Sequence, residues 1–163
     1  MSLLDPFYAK SFLEQYKRLL SEVCGKQLNG TADYVEAREV LYADGFNKTH
    51  HMAPKYDTSF IEAIRNAEYG MFICGKKYKQ GYALKSRDNI WYCVQALTTP
   101  LEEMVPDWIV VVTAILPYHD NYICDGLIID KHVSIGKNMI HDMIQELKIE
   151  RPKWSSKCMK SDR

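Results

Sequence analysis

Apolar residues at spacings of three and four open the chain: Phe12, Tyr16, Leu19 and Val23, with Leu13 and Leu20 beside them, share one helical face. Asp5-Pro6 starts that helix, because the carboxylate accepts from exposed amides and proline at the first position forfeits no hydrogen bond. Gly25 is placed to end it. A second helix is predicted after Thr31, carrying Tyr34, Val35, Val40 and Leu41, until Gly45 and the polar stretch from Asn47 to His51 interrupt it, with a loop through Pro54. A third begins near Asp57 to Ser59, where Ser59 and Glu62 have capping-box spacing; it buries Phe60, Ile61 and Ile64 and stops at Gly70.

Beyond Gly70 the period shortens. Met71 to Cys74, Tyr82 to Lys85 and Ile90 to Leu97 are short, aromatic or β-branched runs separated by glycine or by Ser86-Arg87-Asp88-Asn89, which suits a hairpin turn. Thr98 to Asp107, with two prolines, reads as a surface loop. Ile109 to Leu116 is apolar on both faces, as a strand covered on both sides would be. Pro117 is expected to end it and His119-Asp120-Asn121 to turn the chain, so that Tyr122 to Ile129 returns with a bulge at Gly126. Ser134 to Asn138 leads into a helix with Met139, Ile140, Met143, Ile144 and Leu147 on one face.

These elements predict an α+β domain over residues 1–150: N-terminal helices, an antiparallel β-meander of four or five strands, and a C-terminal helix packed on the sheet. Residues 151–163, with five basic side chains and one acid, form a basic tail expected to be flexible.

Composition narrows the function classes without choosing among them. The 21 basic and 21 acidic residues cancel, so no global field draws the protein to nucleic acid or to an anionic membrane. The five cysteines are widely spaced, and no secretory leader is read before them, which fits free thiols in a reducing cytoplasm. The longest apolar run, Ile109 to Leu116, is too short to span a bilayer, and no membrane partner is expected.

The order of an apolar strand, Leu116-Pro117-Tyr118-His119-Asp120-Asn121-Tyr122-Ile123-Cys124-Asp125-Gly126-Leu127, then Ser134 and Gly136 at a helix entry, resembles a group of uncharacterised bacterial proteins. These carry Leu-Pro-aromatic-x-Asp-x-Ile-x-x-Asp-Gly-Leu followed by Ser-x-Gly. The likeness covers roughly the last ninety residues before the tail. It implies a shared fold and no catalytic assignment, and His119 stands where the group tends to have lysine.

Several constellations carry chemistry in principle. His119 and Asp120, with Cys124 and Asp125 on the returning strand, hold the residue types of a small hydrolase or thiol enzyme, which requires a base within reach of an activated thiol. Cys124, however, lies in an apolar strand where free cysteine is ordinarily a small buried hydrophobe. Asp125-Gly126 equally suits a bulge whose carboxylate accepts backbone amides, and strand alternation argues against Asp120, Asp125 and Asp130 converging. His50, His51, His119, His132 and His141 match no zinc spacing, and Gly136-Lys137 lacks the rest of a phosphate loop, so no metal or cofactor is expected. Lys76, Lys77, Tyr78, Lys79, Tyr82, Lys85 and Arg87 interleave cations with tyrosines, as a nucleic-acid surface would; lysines equally guard exposed sheet edges. The leading expectation is a non-enzymatic interaction or accessory domain with a protein partner. Nucleic-acid binding through the Lys/Tyr hairpin and an enzymatic role stand as alternatives.

Overall fold

A computed structural model of the chain describes residues 3–43 and 50–153, giving the backbone path alone for 50–52. α1 (Pro6–Cys24) is capped as its sequence requires: the Asp5 carboxylate accepts from the Phe7 amide at 2.9 Å. Its buried stripe is Ala9, Phe12, Tyr16, Leu19 and Leu20. α2 (Thr31–Ala43) turns a different face inward from the one predicted, burying Ala37, Arg38 and Leu41 while Val40 is 39% exposed. A single charged residue on the buried stripe shifted the apparent periodicity. After a 3-10 segment (His50–Lys55), α3 (Thr58–Arg65) follows. It ends at Asn66 rather than Gly70, and the Ser59–Glu62 capping box does not form because Asp57 occupies the cap position. Gln15 supplies the link instead: its Oε1 accepts from the Asp57 amide at 2.8 Å and its Nε2 donates to the Asp57 carboxylate at 3.3 Å.

Six strands follow: β1 (Glu68–Lys77), β2 (Tyr82–Lys85), β3 (Trp91–Gln95), β4 (Ile109–Tyr118), β5 (Asn121–Cys124) and β6 (Ile129–Ser134). The chain is α+β as expected, with helices before the sheet and one after it, but the sheet is mixed and six-stranded rather than an antiparallel meander of four or five strands. Its order is β1-β2-β3-β5-β4-β6, and β1 also pairs with β4. Five strands therefore close on themselves, with β3 and β5 parallel and every other pair antiparallel. The result is a small five-stranded barrel with β6 added beside β4. The sixth strand arises because Tyr122 to Ile129 does not run through: Asp125-Gly126, with Gly126 at φ 87°, breaks it into β5 and β6. β6 pairs with the first half of β4, and its ladder is irregular around His132, at φ 56°.

Alternation along the strands sorts side chains between the barrel interior and two helical covers. Phe72, Cys74, Leu84, Val94, Ile109, Val111, Ile115 and Cys124 form the interior cluster. The Thr98–Asp107 connection is more than a surface loop, since Leu101 and Val105 join that cluster. On β4, Ala114, Leu116 and Tyr118 face outward into the layer made by α1, α2 and α3. On another side, Met143 and Leu147 of α4 (Lys137–Ile149) lie over Ala83 of β2 and Trp91 of β3. The β1–β2 turn needs its glycine, because a Cβ on Gly81 would stand 2.5 Å from the Val94 carbonyl oxygen of β3. The tail begins in order: Lys153 donates to the Trp91 carbonyl at 2.9 Å and accepts from the Cys93 amide at 2.6 Å. Residues 154–163 lie outside the described part of the chain.

Candidate functional site

The convergence of polar groups in this molecule centres on Asp125, which is 1% exposed. It follows β5, where the left-handed Gly126 lets the chain double back so that the carboxylate can accept from the Leu127 amide at 3.0 Å. Three further elements supply donors. Tyr16 of α1 donates its hydroxyl at 2.7 Å, Arg38 of α2 places Nη1 at 3.1 and 3.2 Å from the two carboxylate oxygens, and Thr113 of β4 donates at 3.3 Å. The same Arg38 Nη1 donates to the Leu127 carbonyl oxygen. Arg38 lies over the Tyr69 ring at 5.0 Å, and Tyr69 in turn stacks on Tyr42. The Arg38 Nε and Nη2 atoms have no hydrogen-bond partner among the described residues.

The electrostatics are those of a closed lock. Burial, then the neighbouring Asp125 carboxylate, hold the Tyr16 hydroxyl well above its ordinary range, so Tyr16 stays neutral and donates. For Arg38, burial works against the charge, but Asp125 and the tyrosines outweigh it and the guanidinium is held above its usual value. Cys124 touches the cluster through Thr113 Oγ1 at 3.2 Å. Burial, then the Asp125 charge, push its thiol up to about 12. The other barrel thiols follow it, Cys74 to about 12 and Cys93 to about 11, with burial the leading cause. A thiol of this kind is protonated at neutral pH and is a poor nucleophile. Iodoacetamide is accordingly expected to leave Cys124 unmodified in the native protein at pH 7.5, and to label it at the rate of global unfolding. Peptide mass mapping against urea concentration checks this; fast labelling without denaturant would refute it.

The predicted catalytic residues do not meet. His119 and Asp120 occupy the exposed β4–β5 turn, with φ of 46° and 67°, the pair of positive values that a two-residue hairpin of primed type demands. His119 stacks on the Tyr8 ring at 3.9 Å. Asp125 and Cys124 are buried at the other end of β5. Asp130 accepts from the His132 amide at 2.7 Å. Among the described residues no three His, Cys, Asp or Glu side chains group as metal ligands. His50 and His51 lie outside the described side chains.

The basic hairpin is also divided. Lys76, Lys77, Lys79 and Arg87 are exposed, and Lys77 pairs with Glu102 at 2.7 Å. Tyr82 is buried, with its hydroxyl on Asp107 at 2.6 Å, and so offers no stacking face. Lys85 belongs to the α4 contact: it meets Glu146 at 2.7 Å, and the same Glu146 oxygen accepts from the Trp91 indole at 3.1 Å. Ala83 and Trp91 on β2 and β3 lie beneath α4, which covers that part of the sheet.

Two concavities adjoin the α1 side of the barrel. A cavity of about 170 Å³ lies against Tyr16, Cys124 and Asp125. A wider groove of about 1170 Å³ shares Leu13, Lys17, Leu97 and Thr98 with it and extends along α1 to the β1–β2 turn. Sequence reading missed Arg38, Tyr16 and Thr113. The available signal was Arg38, one residue from Ala37 on a stripe that runs from Tyr34 to Leu41.

No family model matches this chain, and no curated protein and no solved structure matches it. Among the described residues no helix is long and apolar enough to cross a membrane.

Proposed function

We propose that this chain is a non-enzymatic interaction domain whose working surface is the groove along α1. The observation that carries this reading is a contrast. The polar groups that converge are buried, bond chiefly to one another and include no imidazole, whereas the groove along α1 is open and combines aliphatic with charged side chains. An enzyme needs a reacting group that its substrate can reach; Asp125 is 1% exposed and Cys124 is buried and held as a thiol. Placement in a reducing cytoplasm is part of the proposal, supported by free thiols at Cys24, Cys74, Cys93 and Cys124. Membership of the bacterial group that the Leu116–Gly136 segment resembles is likewise a proposal, resting on those residues alone.

Nucleic-acid binding is the second reading, favoured by exposed Lys76, Lys79 and Arg87 around the β1–β2–β3 hairpins. It ranks lower because Tyr82 and Lys85, two of its intended contacts, are engaged inside the fold.

A photo-cross-linking residue introduced at Lys10 or Lys17 is expected to give a discrete adduct in cells, with none from the same residue at Lys148 on α4. Mass spectrometry of the adduct identifies the partner. Equal adduct patterns from all three positions, or none from the groove, would overturn the reading.

A further inference from the structure

We infer that the groove receives an acidic amphipathic peptide helix of about three turns, a deepening that rests on the interaction-domain reading above. One wall is α1 from Pro6 to Lys17, a stretch that rises about 17 Å at 1.5 Å per residue, the length of three helical turns. Lys77 to Lys79 at the β1–β2 turn also line the groove, the turn being held by the Tyr78 amide donating to the Gly81 carbonyl at 2.7 Å. The connection from Leu97 to Pro100 closes one side.

The chemistry of the lining then selects the occupant. Leu3, 37% exposed, and the half-buried Leu13 and Pro100 contribute aliphatic surface over the buried Leu4 and Leu97. Such surface takes up the apolar stripe of an amphipathic helix, with anchors at i, i+3 or i+4, and i+7. Around it stand Lys10, Lys17, Lys77 and Lys79, against Asp5 and Glu14. Asp5 is already committed to capping α1, and Lys77 shares its charge with Glu102. Lys10 and Lys17 are two turns apart on the same helix as Leu13, so an apolar contact lies between two cations. A partner with glutamates or aspartates flanking its apolar stripe complements both features.

Single-stranded nucleic acid would use the same cations but needs flat rings to stack on. The groove offers one, Tyr78, which is half-buried and packed toward the α4 cluster.

The test is selection of peptides from a randomised 14-residue display library on the full-length protein, followed by fluorescence polarisation of the selected sequences. Enriched peptides are expected to combine apolar residues at helical spacing with flanking acids. They should bind roughly tenfold more weakly to Lys10→Glu/Lys17→Glu, mainly through slower association, and unchanged to Lys148→Glu. Both variants alter exposed positions, and circular dichroism melts verify that they fold. The inference fails if nothing is enriched, if basic or uncharged peptides dominate, or if Lys10→Glu/Lys17→Glu binds the selected peptides as well as the parent. It also fails if an oligo-dT strand binds the groove and displaces them at about 0.15 M salt, where weak phosphate contacts are screened. Cross-links from Lys10 and Lys17 to a basic protein would leave the interaction-domain reading standing and remove this one, whereas cross-links to a nucleic acid would remove both in favour of the second reading. Absence of both cross-links and peptides removes both.

Discussion

Asp125→Asn is expected to cost the fold about 3–5 kcal/mol, the range found when one member of a buried ion pair is removed. Asparagine keeps the shape, but Tyr16 and the Leu127 amide donate to different carboxylate oxygens, and its single carbonyl oxygen can accept from only one of them. What it cannot do is balance the charge of Arg38, whose side chain is fully buried and whose Nε and Nη2 have no partner among the described residues to compensate. Urea unfolding followed by tryptophan fluorescence reads the loss directly. A paired experiment separates the ion pair from the packing around it: Arg38→Met/Asp125→Leu should be more stable than either Asp125→Asn or Arg38→Met alone, because it removes both desolvated charges together. A double variant less stable than either single would mean that the hydrogen bonds to Tyr16, Thr113 and Leu127, rather than the charge balance, hold these elements together. A loss below about 1 kcal/mol for Asp125→Asn, the scale of an exposed pair, would show that water reaches the cluster.

Phe60→Ala is expected to be comparably damaging, at about 3–5 kcal/mol. Phe60 is 0% exposed, and its ring sits 5.4 Å from that of Phe12, 5.5 Å from Tyr56 and 6.5 Å from Tyr16. It joins α3 to α1 beneath the outer face of β4. Truncation removes the buried ring and leaves a cavity that three surrounding aromatic side chains are too rigid to fill. The distribution of the damage is as informative as its size. If the helical layer and the barrel form one cooperative unit, hydrogen exchange should accelerate in β4 and β5 together with α1 and α3, and chemical unfolding should stay a single transition. Faster exchange confined to the helices would divide the predicted 1–150 domain into two parts of separate stability.

Much of the local structure follows from residues close together in the chain. Asp5-Pro6 and Gly25 bracket α1 because capping is settled within a few residues, and Ser86 to Asn89 turns β2 into β3 because Asn89 takes a φ of 63° while the Ser86 hydroxyl accepts from the Ile90 amide. The apolar run Ile109 to Leu116 is a strand, buried on both faces from Thr113 to Leu116, and its apolar residues on both faces pointed to that. In the candidate site, Asp125-Gly126 was readable as a place where a carboxylate meets backbone amides.

The tertiary structure decided everything that depended on which distant edges meet. Closure of β1 onto β4 and the parallel pairing of β3 with β5 are long-range choices, and period-2 patterning is identical whether a strand's neighbour is parallel or antiparallel, first or fifth. The same holds for the site. Arg38 lies 87 residues from Asp125 and Tyr16 lies 109 from it, so nothing local marks them as partners. A charged residue on a buried helical stripe looks, in sequence, like a flaw in the stripe. Only the fold brings to it the carboxylate that makes its burial tolerable. The groove is of the same kind: the sequence determined that α1 carries Leu13 between Lys10 and Lys17, and the barrel decided that Lys77 to Lys79 line the same groove.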